Sequence, residues 1–340
     1  MKIFGVEFAP LNIPLQRRLQ TLAVFQHILS FLFLGFGCLF LCVYLLLFTR
    51  YYHFPLACLV WYLYDRKTSA RGGRRSEWVR RWKLWEYFRD YFPMKLVKTA
   101  DLDPKRNYIL GIHPHGIFSC SAFLNFSTEA TGWSKKFPGT TPHLLVLAGH
   151  FKFPIYRDYF MLSGVAEVTK ESMDYLLSQE EGGHCLGVVV GGAVEALEAH
   201  PGKYNLCISK KKGFIKMALI HGAPLVPLFS FGETDLYDQV NNPDGSLLKN
   251  LQMFLTKRFG FSPPIFYGRG VFNYTFGIMP YRHPVTTVVG KPIEVEKKSK
   301  PSQEDIDDLH KKYVDALIDL FEKHKSECGV DESQHLNFVD

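Results

Sequence analysis

Residues 19–49 form a run of 31 residues without a single Lys, Arg, Asp or Glu. A helix needs about 20 predominantly apolar residues to cross the hydrocarbon core of a bilayer, whereas the apolar part of a signal peptide is much shorter. The run therefore predicts a membrane anchor that the mature chain keeps. A second uncharged run, residues 51–64, has 14 residues and is short for a complete span by itself.

Together the two runs predict a transmembrane hairpin or re-entrant anchor over residues 19–64, with its turn either at 35–37 or at 50–55. Arg17 and Arg18 precede the anchor, and the segment that follows it is strongly basic. Because positive flanks stay on the cytosolic side of a membrane, residues 1–18 and the chain after the anchor are both predicted to face the cytosol.

Residues 65–100 are a basic segment, in which residues 66–89 combine nine basic residues with Trp78, Trp82 and Trp85. Tryptophan and arginine at helical spacing are typical of a helix at the membrane interface; a solvated basic helix of the main domain is the alternative. The formal net charge of +7 also suits a surface that faces anionic lipid or a polyphosphate ligand. Nucleic acid is not expected as a partner, because no helix-turn-helix, zinc-finger or RNP pattern occurs.

Predicted strands and helices alternate over residues 101–340, which argues for an α/β layer fold. Short apolar runs predict strands at 108–112, 144–147, 186–190, 224–229 and 285–289, and helices are predicted at 171–178, 212–221 and 301–327. Ser302 and Asp305 predict a capping box at the start of the last helix. The seven cysteines show no paired zinc or disulfide spacing, which favours a reducing compartment.

The first of these strands leads into His113-Pro114-His115-Gly116. Residues two apart on an extended segment point to the same side, Pro114 favours an extended His113, and Gly116 permits a sharp exit. Imidazole titrates near neutral pH and can take a proton from an alcohol, so the motif predicts a general base at the rim of a sheet. The alternatives are a structural role, or a metal site that would need further ligands from elsewhere.

A second motif follows the strand at 186–190, which leads into Gly191, Gly192 and Glu195. Small residues at a strand end leave backbone N–H groups free to face a ligand or an oxyanion, and a carboxylate there could orient an imidazole. The alternative for Glu195 is a carboxylate stabilised by a helix dipole. Lys211 and Lys212 stand at the start of a helix and suit an anion clamp, although a lysine run is usually a solvated face.

A collinear set of motifs along nearly the whole chain resembles the glycerolipid acyltransferases, and more closely the family of monoacylglycerol and type-2 diacylglycerol acyltransferases. The motifs are VEFAPLN, RRLQT, RGGRR, DYFP, LVKT, HPHG, YRDY, VGGAVEAL, KKGFIKMAL, HGAPLVP, FSFGE, GRGVF and TTVVGKP. The short N-terminus is more similar to that of the monoacylglycerol members. The wider superfamily has Asp five residues after the His, whereas Phe118 and Cys120 hold those places here, so a carboxylate must come from elsewhere.

The resemblance implies a glycerolipid-acyltransferase-like mixed sheet flanked by helices. It also implies acyl transfer from acyl-CoA to monoacylglycerol, giving diacylglycerol for triacylglycerol synthesis. The alternatives are diacylglycerol or a fatty alcohol as acceptor, and a non-catalytic lipid-droplet scaffold. A lipid hydrolase is not expected, because the chain has no Gly-x-Ser-x-Gly motif. The expected location is the endoplasmic reticulum membrane or a lipid droplet, with the catalytic domain in the cytosol; homo-oligomerisation is left open.

The resemblance also assigns roles to individual residues. It implies His115 as the general base, His113 as support for the geometry of the site, and Glu195 as the carboxylate that holds the imidazole in the required tautomer. No metal or cofactor is expected, since acyl-CoA acts as a co-substrate. The residues expected to bind acyl-CoA or to stabilise its oxyanion are Gly116, Gly191, Gly192, Lys211, Lys212 and Arg269.

Overall fold

A computed structural model describes residues 2–10, 12–243, 245–259 and 263–339. Its helices are α1 (Leu15–Leu29), α2 (Gly35–Phe48), α3 (His53–Asp65), α4 (Glu77–Arg80), α5 (Lys83–Tyr91), α6 (Cys120–Ser127), α7 (Trp133–Lys136), α8 (Tyr156–Leu162), α9 (Lys170–Leu177), α10 (Gly192–Ala196), α11 (Gly213–His221), α12 (Leu247–Phe259) and α13 (Gln303–His324). A π-helical turn, Ser30–Leu34, joins α1 and α2 into one continuous helix.

The strands of the described residues are β1 (Lys2–Ile3), β2 (Val6–Glu7), β3 (Lys95–Lys98), β4 (Tyr108–His113), β5 (Thr141–Val146), β6 (Val165–Glu167), β7 (His184–Val189), β8 (Asn205–Leu206), β9 (Leu225–Phe231), β10 (Asp238–Gln239), β11 (Phe266–Tyr267), β12 (Thr286–Val289) and β13 (Asn337–Phe338). The central sheet has the order β3-β12-β9-β4-β7-β5-β6. Strands β9, β4, β7, β5 and β6 are parallel, whereas β12 and β3 run the opposite way. The sheet is therefore mixed, with β4 at its centre.

Strand β4 separates two hydrophobic cores. Its side chains alternate between the faces: Tyr108, Leu110 and Ile112 lie in the core that contains residues of α1, α5 and α6, and Ile109 lies in the core that contains residues of α9, α11 and α13. Every residue of β4 is buried, as expected for a strand covered on both faces. The helices therefore cover both faces of the sheet, and its carboxyl edge is formed by loops.

This architecture confirms the prediction of an α/β fold with a sheet flanked by helices. Strands β4, β5, β7, β9 and β12 overlap the five predicted strands, and α9, α11 and α13 overlap the predicted helices. Ser302 and Asp305 make both hydrogen bonds of the capping box at α13. The sequence missed the two edge strands, β3 and β6, which are only four and three residues long. Strand β3 also precedes residue 101, where the domain was expected to begin.

The continuous N-terminal helix, Leu15–Phe48, has the length and apolar composition to cross a membrane. Its first half packs on the domain, since Ala23 and Ile28 of α1 are fully buried and α1 contacts α5. Its second half, α2, packs with α3 and exposes most of its large apolar side chains. Of the two predicted turn positions, residues 35–37 lie within the helix, and the connection to α3 is made by residues 49–52.

The helix expected in the basic segment 65–100 is divided in two, and its place at a membrane interface stays a prediction. The structure divides it into short helices, α4 and α5, and buries Trp85 and Arg80 in the domain. The guanidinium of Arg80 donates to three backbone carbonyl groups, which is the pairing that a buried arginine requires. Only part of the segment is therefore open to lipid, and it includes Trp78, which is 73% exposed.

Candidate active site

Three loops meet at the carboxyl edge of the sheet, where the parallel strands β7, β4 and β9 end side by side. Ile112 of β4 is paired with Val189 of β7 and with Leu228 of β9. The loop after β7 leads to Glu195, and the loop after β9 carries Glu233; both carboxylates are buried. Since ligands of α/β sheets bind outside the carboxyl ends of the strands, the register places the His-Pro-His-Gly loop where a site is expected, between two carboxylates.

His115 is the partly exposed histidine of the motif, and a backbone group fixes the tautomer of its ring. Nδ1 lies 2.9 Å from the carbonyl oxygen of Gly116; because a carbonyl oxygen can only accept, Nδ1 carries the proton. Burial lowers the pKa of His115 below its ordinary value, although the hydrogen bond to Gly116 opposes the shift. The imidazole is therefore neutral near neutral pH, and Nε2 is free to accept a proton.

His113 has a different environment, although only one residue separates it from His115. Its ring is fully buried, and Nε2 lies 3.1 Å from the hydroxyl of Tyr313 on α13. Burial lowers the pKa of His113 to about 3, so its ring stays neutral. Gly111 leaves room for this contact, because a Cβ there would lie 1.9 Å from the Tyr313 hydroxyl. The two rings therefore have different partners, and the extended segment from which both were expected to project ends at His113.

Glu195 holds the backbone of the loop and not the imidazole of His115. One carboxylate oxygen accepts the backbone N–H of His115 at 2.7 Å, and the other accepts that of Cys207 at 2.8 Å. The predicted contact between Glu195 and the ring is therefore wrong, since both oxygens bind main-chain N–H groups. Burial raises the pKa of Glu195 to about 7, against the opposing effects of these hydrogen bonds and of the charge on Lys211.

Sequence analysis missed the second carboxylate, Glu233. Its two oxygens accept the backbone N–H groups of Cys120 and Ser121, at 2.8 and 3.0 Å, in the first turn of α6. The side chain also lies over Gly116, where a Cβ would be 2.7 Å from Cγ of Glu233. Burial raises the pKa of Glu233 to about 7. The sequence could have indicated Glu233 through its position, because, like Glu195, it follows the end of a strand that adjoins β4.

The glycines expected to form an oxyanion site lie in the same loops. Gly191 makes room for Glu195, since a Cβ there would lie 2.0 Å from Oε2 of that carboxylate. The backbone N–H groups of Gly191 and Gly192 donate to none of the described residues. A Cβ on Gly192 would have no atom within 4 Å among those residues. Two backbone donors are therefore available here, next to the carboxylate that holds His115.

The three basic residues expected to bind acyl-CoA have different environments. Lys212 is ion-paired with Asp307 of α13 at 2.7 Å, so its charge is already partly balanced. Lys211 is exposed, and its charge acts on Glu195. Arg269 is buried and lines a separate cavity beside the N-terminal segment. Arg269 therefore has a different environment from Lys211 and Lys212, and the binding of acyl-CoA by these residues stays a prediction.

Known acyltransferases are similar to this chain. The diacylglycerol acyltransferase family matches residues 44–339. The 2-acylglycerol O-acyltransferase 1 of Bos taurus is 51% identical over 98% of this chain and 99% of that protein. The diacylglycerol O-acyltransferase 2 of Homo sapiens is 48% identical over 94% of this chain and 83% of that protein. Among solved structures, the 1-acyl-sn-glycerophosphate acyltransferase PlsC of Thermotoga maritima is 14% identical over 94% of this chain and 97% of that one, with a TM-score of 0.40.

A neutral histidine with a free Nε2, at the carboxyl edge of an α/β sheet, defines a site for general-base chemistry on an alcohol or water. The family match spans most of the chain, and the relatives align over nearly all of it. The chain therefore belongs to the diacylglycerol acyltransferase family and is an O-acyltransferase, which confirms the family and the enzyme class that the motifs predicted.

Proposed function

We propose that this enzyme transfers a fatty acyl group from acyl-CoA to a free hydroxyl of monoacylglycerol and so supplies diacylglycerol for triacylglycerol synthesis. The observation that carries the proposal is the 2.9 Å hydrogen bond between Nδ1 of His115 and the carbonyl of Gly116. This bond leaves Nε2 free to take the proton of the acceptor alcohol. His115 is also partly exposed, as a catalytic group must be, whereas His113 is fully buried.

The reaction begins when the acceptor hydroxyl gives its proton to Nε2 of His115. The alkoxide oxygen attacks the thioester carbonyl carbon and forms the new C–O bond, and the free N–H groups of Gly191 and Gly192 stabilise the tetrahedral oxyanion. The C–S bond then breaks, and the proton on Nε2 passes to the CoA thiolate. An ester and the CoA thiol leave, and His115 is neutral again. General-base catalysis contributes about 10²–10⁴-fold, so positioning and oxyanion stabilisation supply the rest.

Glu195 and Glu233 act in this mechanism as positioning residues. Glu195 holds the backbone N–H of His115, and Glu233 holds the first turn of the helix that follows the loop. The catalytic loop is therefore fixed at both ends by buried carboxylates. Such fixing keeps the base within reach of the substrate hydroxyl and reduces the loss of entropy when the reactants align.

Monoacylglycerol is the first candidate for the acceptor because of the extent of the similarity. The relative named 2-acylglycerol O-acyltransferase 1 aligns over 99% of its length at 51% identity. The relative named diacylglycerol O-acyltransferase 2 aligns over 83% of its length at 48% identity. The two identities are close, so diacylglycerol is the second candidate acceptor for the same residues.

Microsomes that contain the full chain, incubated with labelled acyl-CoA and one acceptor at a time, test this assignment. We expect a higher kcat/KM with monoacylglycerol than with diacylglycerol or a fatty alcohol. Microsomes with His115→Ala measure the background from host enzymes. A higher kcat/KM with diacylglycerol would change the assigned acceptor to diacylglycerol and leave the proposed mechanism unchanged. No transfer above background to any acceptor, with the protein present in the membrane, would favour a scaffold.

The proposal includes an anchor that enters the endoplasmic reticulum membrane from the cytosol and returns to it. Helix α2 has 14 residues and α3 has 13, which gives about 21 and 20 Å against about 30 Å of hydrocarbon. Helix α1 and the turn Ser30–Leu34 do not lengthen the inserted part, because α1 packs on the catalytic domain and Phe31, Leu32 and Leu34 of the turn pack against the same core. Two short helices with exposed apolar side chains suit a hairpin in the cytosolic half of the bilayer.

Glycosylation and protease protection test this topology. The chain has sequons at Asn125 and Asn273, but Asn125 is buried and donates to Thr287 at 2.9 Å. Asn273 is therefore the sequon that reports on the folded chain. We expect no glycan on Asn273, and digestion of the catalytic domain by protease added to sealed microsomes. A lumenal glycoprotein in the same microsomes is the control, and a glycan on Asn273 or protection of the domain would reverse the topology.

A further inference from the structure

A cavity lies between the N-terminal segment and the loop that leads to β12, and it shares no lining residue with the active-site loops. Its volume is about 730 Å³, within the range of about 300–1,000 Å³ that is common for small-molecule sites. Much of its wall is apolar and is formed by Phe8, Ile13, Leu22, Phe25 and Phe272. The size and the wall suit part of a long hydrocarbon chain.

Four arginines line the same cavity: Arg17, Arg18, Arg269 and Arg282. Within the part of the chain that the structure describes, no carboxylate is ion-paired with Arg17, Arg269 or Arg282. Arg269 is only 8% exposed. Its Nε donates to the carbonyl of Gly270 at 3.1 Å, whereas its two terminal nitrogens donate to none of the described residues. A buried guanidinium with unused donors is a site that an anion would complete.

Arg282 shows the electrostatic effect of this cluster. Its terminal nitrogens donate to residues of α1, and its guanidinium lies 4.0 Å from the centroid of the Tyr91 ring. Burial, together with the charges of Arg17 and Arg269, lowers the pKa of Arg282 to about 10, against the opposing effect of Tyr91. The positive charges therefore repel one another in a partly apolar cavity, and a bound anion would relieve the repulsion.

We propose that this cavity binds an anionic phosphate ester that carries a long acyl chain. Guanidinium groups bind phosphate through paired N–H donors, and the aromatic and aliphatic wall buries hydrocarbon. Phe8, Leu22 and Phe272 line the cavity and are also exposed to solvent, and apolar side chains beside basic ones are typical of contact with anionic lipid. The phosphate ester could be an anionic phospholipid or acyl-CoA. The acyl-CoA alternative rests on the proposed acyl transfer, whereas the phospholipid alternative does not.

Photolabelling of the full chain in phosphatidylcholine nanodiscs tests the proposal. The probe is phosphatidic acid with a diazirine in its acyl chain, and we expect label on peptides that contain Phe8, Leu22 or Phe272. Arg17→Gln combined with Arg269→Gln should lower the labelling at least about tenfold, because each removes a hydrogen bond to a charged group. Arg17→Gln alone changes an exposed residue and should lower it several-fold, which keeps the test valid if the double variant misfolds. Arg106→Gln, outside the cavity, is the matched control and should label normally.

Unlabelled competitors identify the source of the ester. Stronger competition by phosphatidic acid than by palmitoyl-CoA identifies a membrane phospholipid, the reverse identifies acyl-CoA, and both results support the site. Two results would overturn the proposed site. One is labelling of the Arg17→Gln variant and of the Arg17→Gln, Arg269→Gln double variant at the level of the unaltered chain. The other is labelling by a photoreactive phosphatidylcholine at the level seen with phosphatidic acid. Labelling is read by peptide mapping and does not require acyl transfer. The His115→Ala variant should therefore be labelled normally, which distinguishes a failure of binding from a failure of acyl transfer.

Discussion

The His-Pro-His-Gly loop has an inner side and an outer side that are built differently. On the inner side, His113 is fully buried against Tyr313, and burial lowers the pKa of His113 to about 3. On the outer side, His115 is partly exposed, and the carbonyl of Gly116 fixes its tautomer. Two chemically identical rings, one residue apart, therefore have different roles. Burial and hydrogen bonding decide which ring keeps a nitrogen free for chemistry.

The largest expected effect is that of His115→Ala on the outer side. Loss of a positioned general base should lower kcat by about 10²-fold or more. The melting temperature should change little, because the ring is partly exposed and the backbone N–H of residue 115 keeps its bond to Glu195. Acyl transfer and thermal unfolding of the purified enzyme in detergent measure the two quantities. Turnover close to that of the unaltered enzyme would remove His115 from the mechanism.

A smaller loss is expected when the supports of the outer side are changed, in Glu195→Gln and Glu233→Gln. Each substitution places an amide NH₂ where a carboxylate oxygen accepts a backbone N–H, and a hydrogen bond to a charged group contributes about 1.5–3 kcal/mol. We expect kcat to fall by roughly tenfold with a nearly constant KM for acyl-CoA. The larger fall should occur in Glu195→Gln, because Glu195 holds His115 itself. A raised KM at constant kcat would instead assign a binding role.

These supports show why sequence analysis reached the fold more easily than the site. Apolar periodicity is local, so it predicted the central strands and the capped helix α13. The partner of Glu195 depends on the path of the loop in space, and a motif does not specify that path. Glu233 binds a backbone N–H that is 113 residues away in sequence. The hydroxyl of Tyr313 meets His113 across 200 residues. Such partners become visible only once the sheet order is known.

The pH dependence of the rate separates the base from its support. Burial raises the pKa of Glu195 to about 7, so this carboxylate gains a proton as the pH falls through that value and holds the N–H of His115 less well. His115 has a lowered pKa and is protonated only at lower pH, where it ceases to be a base. We expect kcat/KM to fall in two steps as the pH is lowered. The pKa of Glu233 is also raised to about 7, so both carboxylates contribute to the first step, which should shrink in Glu195→Gln without disappearing. A first step of unchanged size in that variant would show that Glu195 does not support the base.

The smallest effect on turnover is expected from Tyr313→Phe, which tests the inner side. The substitution removes the hydroxyl that lies 3.1 Å from Nε2 of His113, and Nδ1 of His113 has no partner among the described residues. An unpaired buried polar group costs about 1–3 kcal/mol, so the melting temperature should fall. Turnover should change by less than about threefold, because His115 on the outer side keeps its bonds to Gly116 and Glu195.

The matched control for this change is Tyr175→Phe, which removes the same atom from an exposed tyrosine and should leave both the melting temperature and turnover unchanged. The informative comparison is between the fall in melting temperature and the fall in kcat that Tyr313→Phe causes. A fall in stability with nearly constant kcat means that the inner side only supports the loop. If Tyr313→Phe lowers kcat as far as His115→Ala does, while the control does not, then His113 takes part in proton transfer. The two histidines would then act as one unit, and the distinction between the inner and outer sides would concern burial alone.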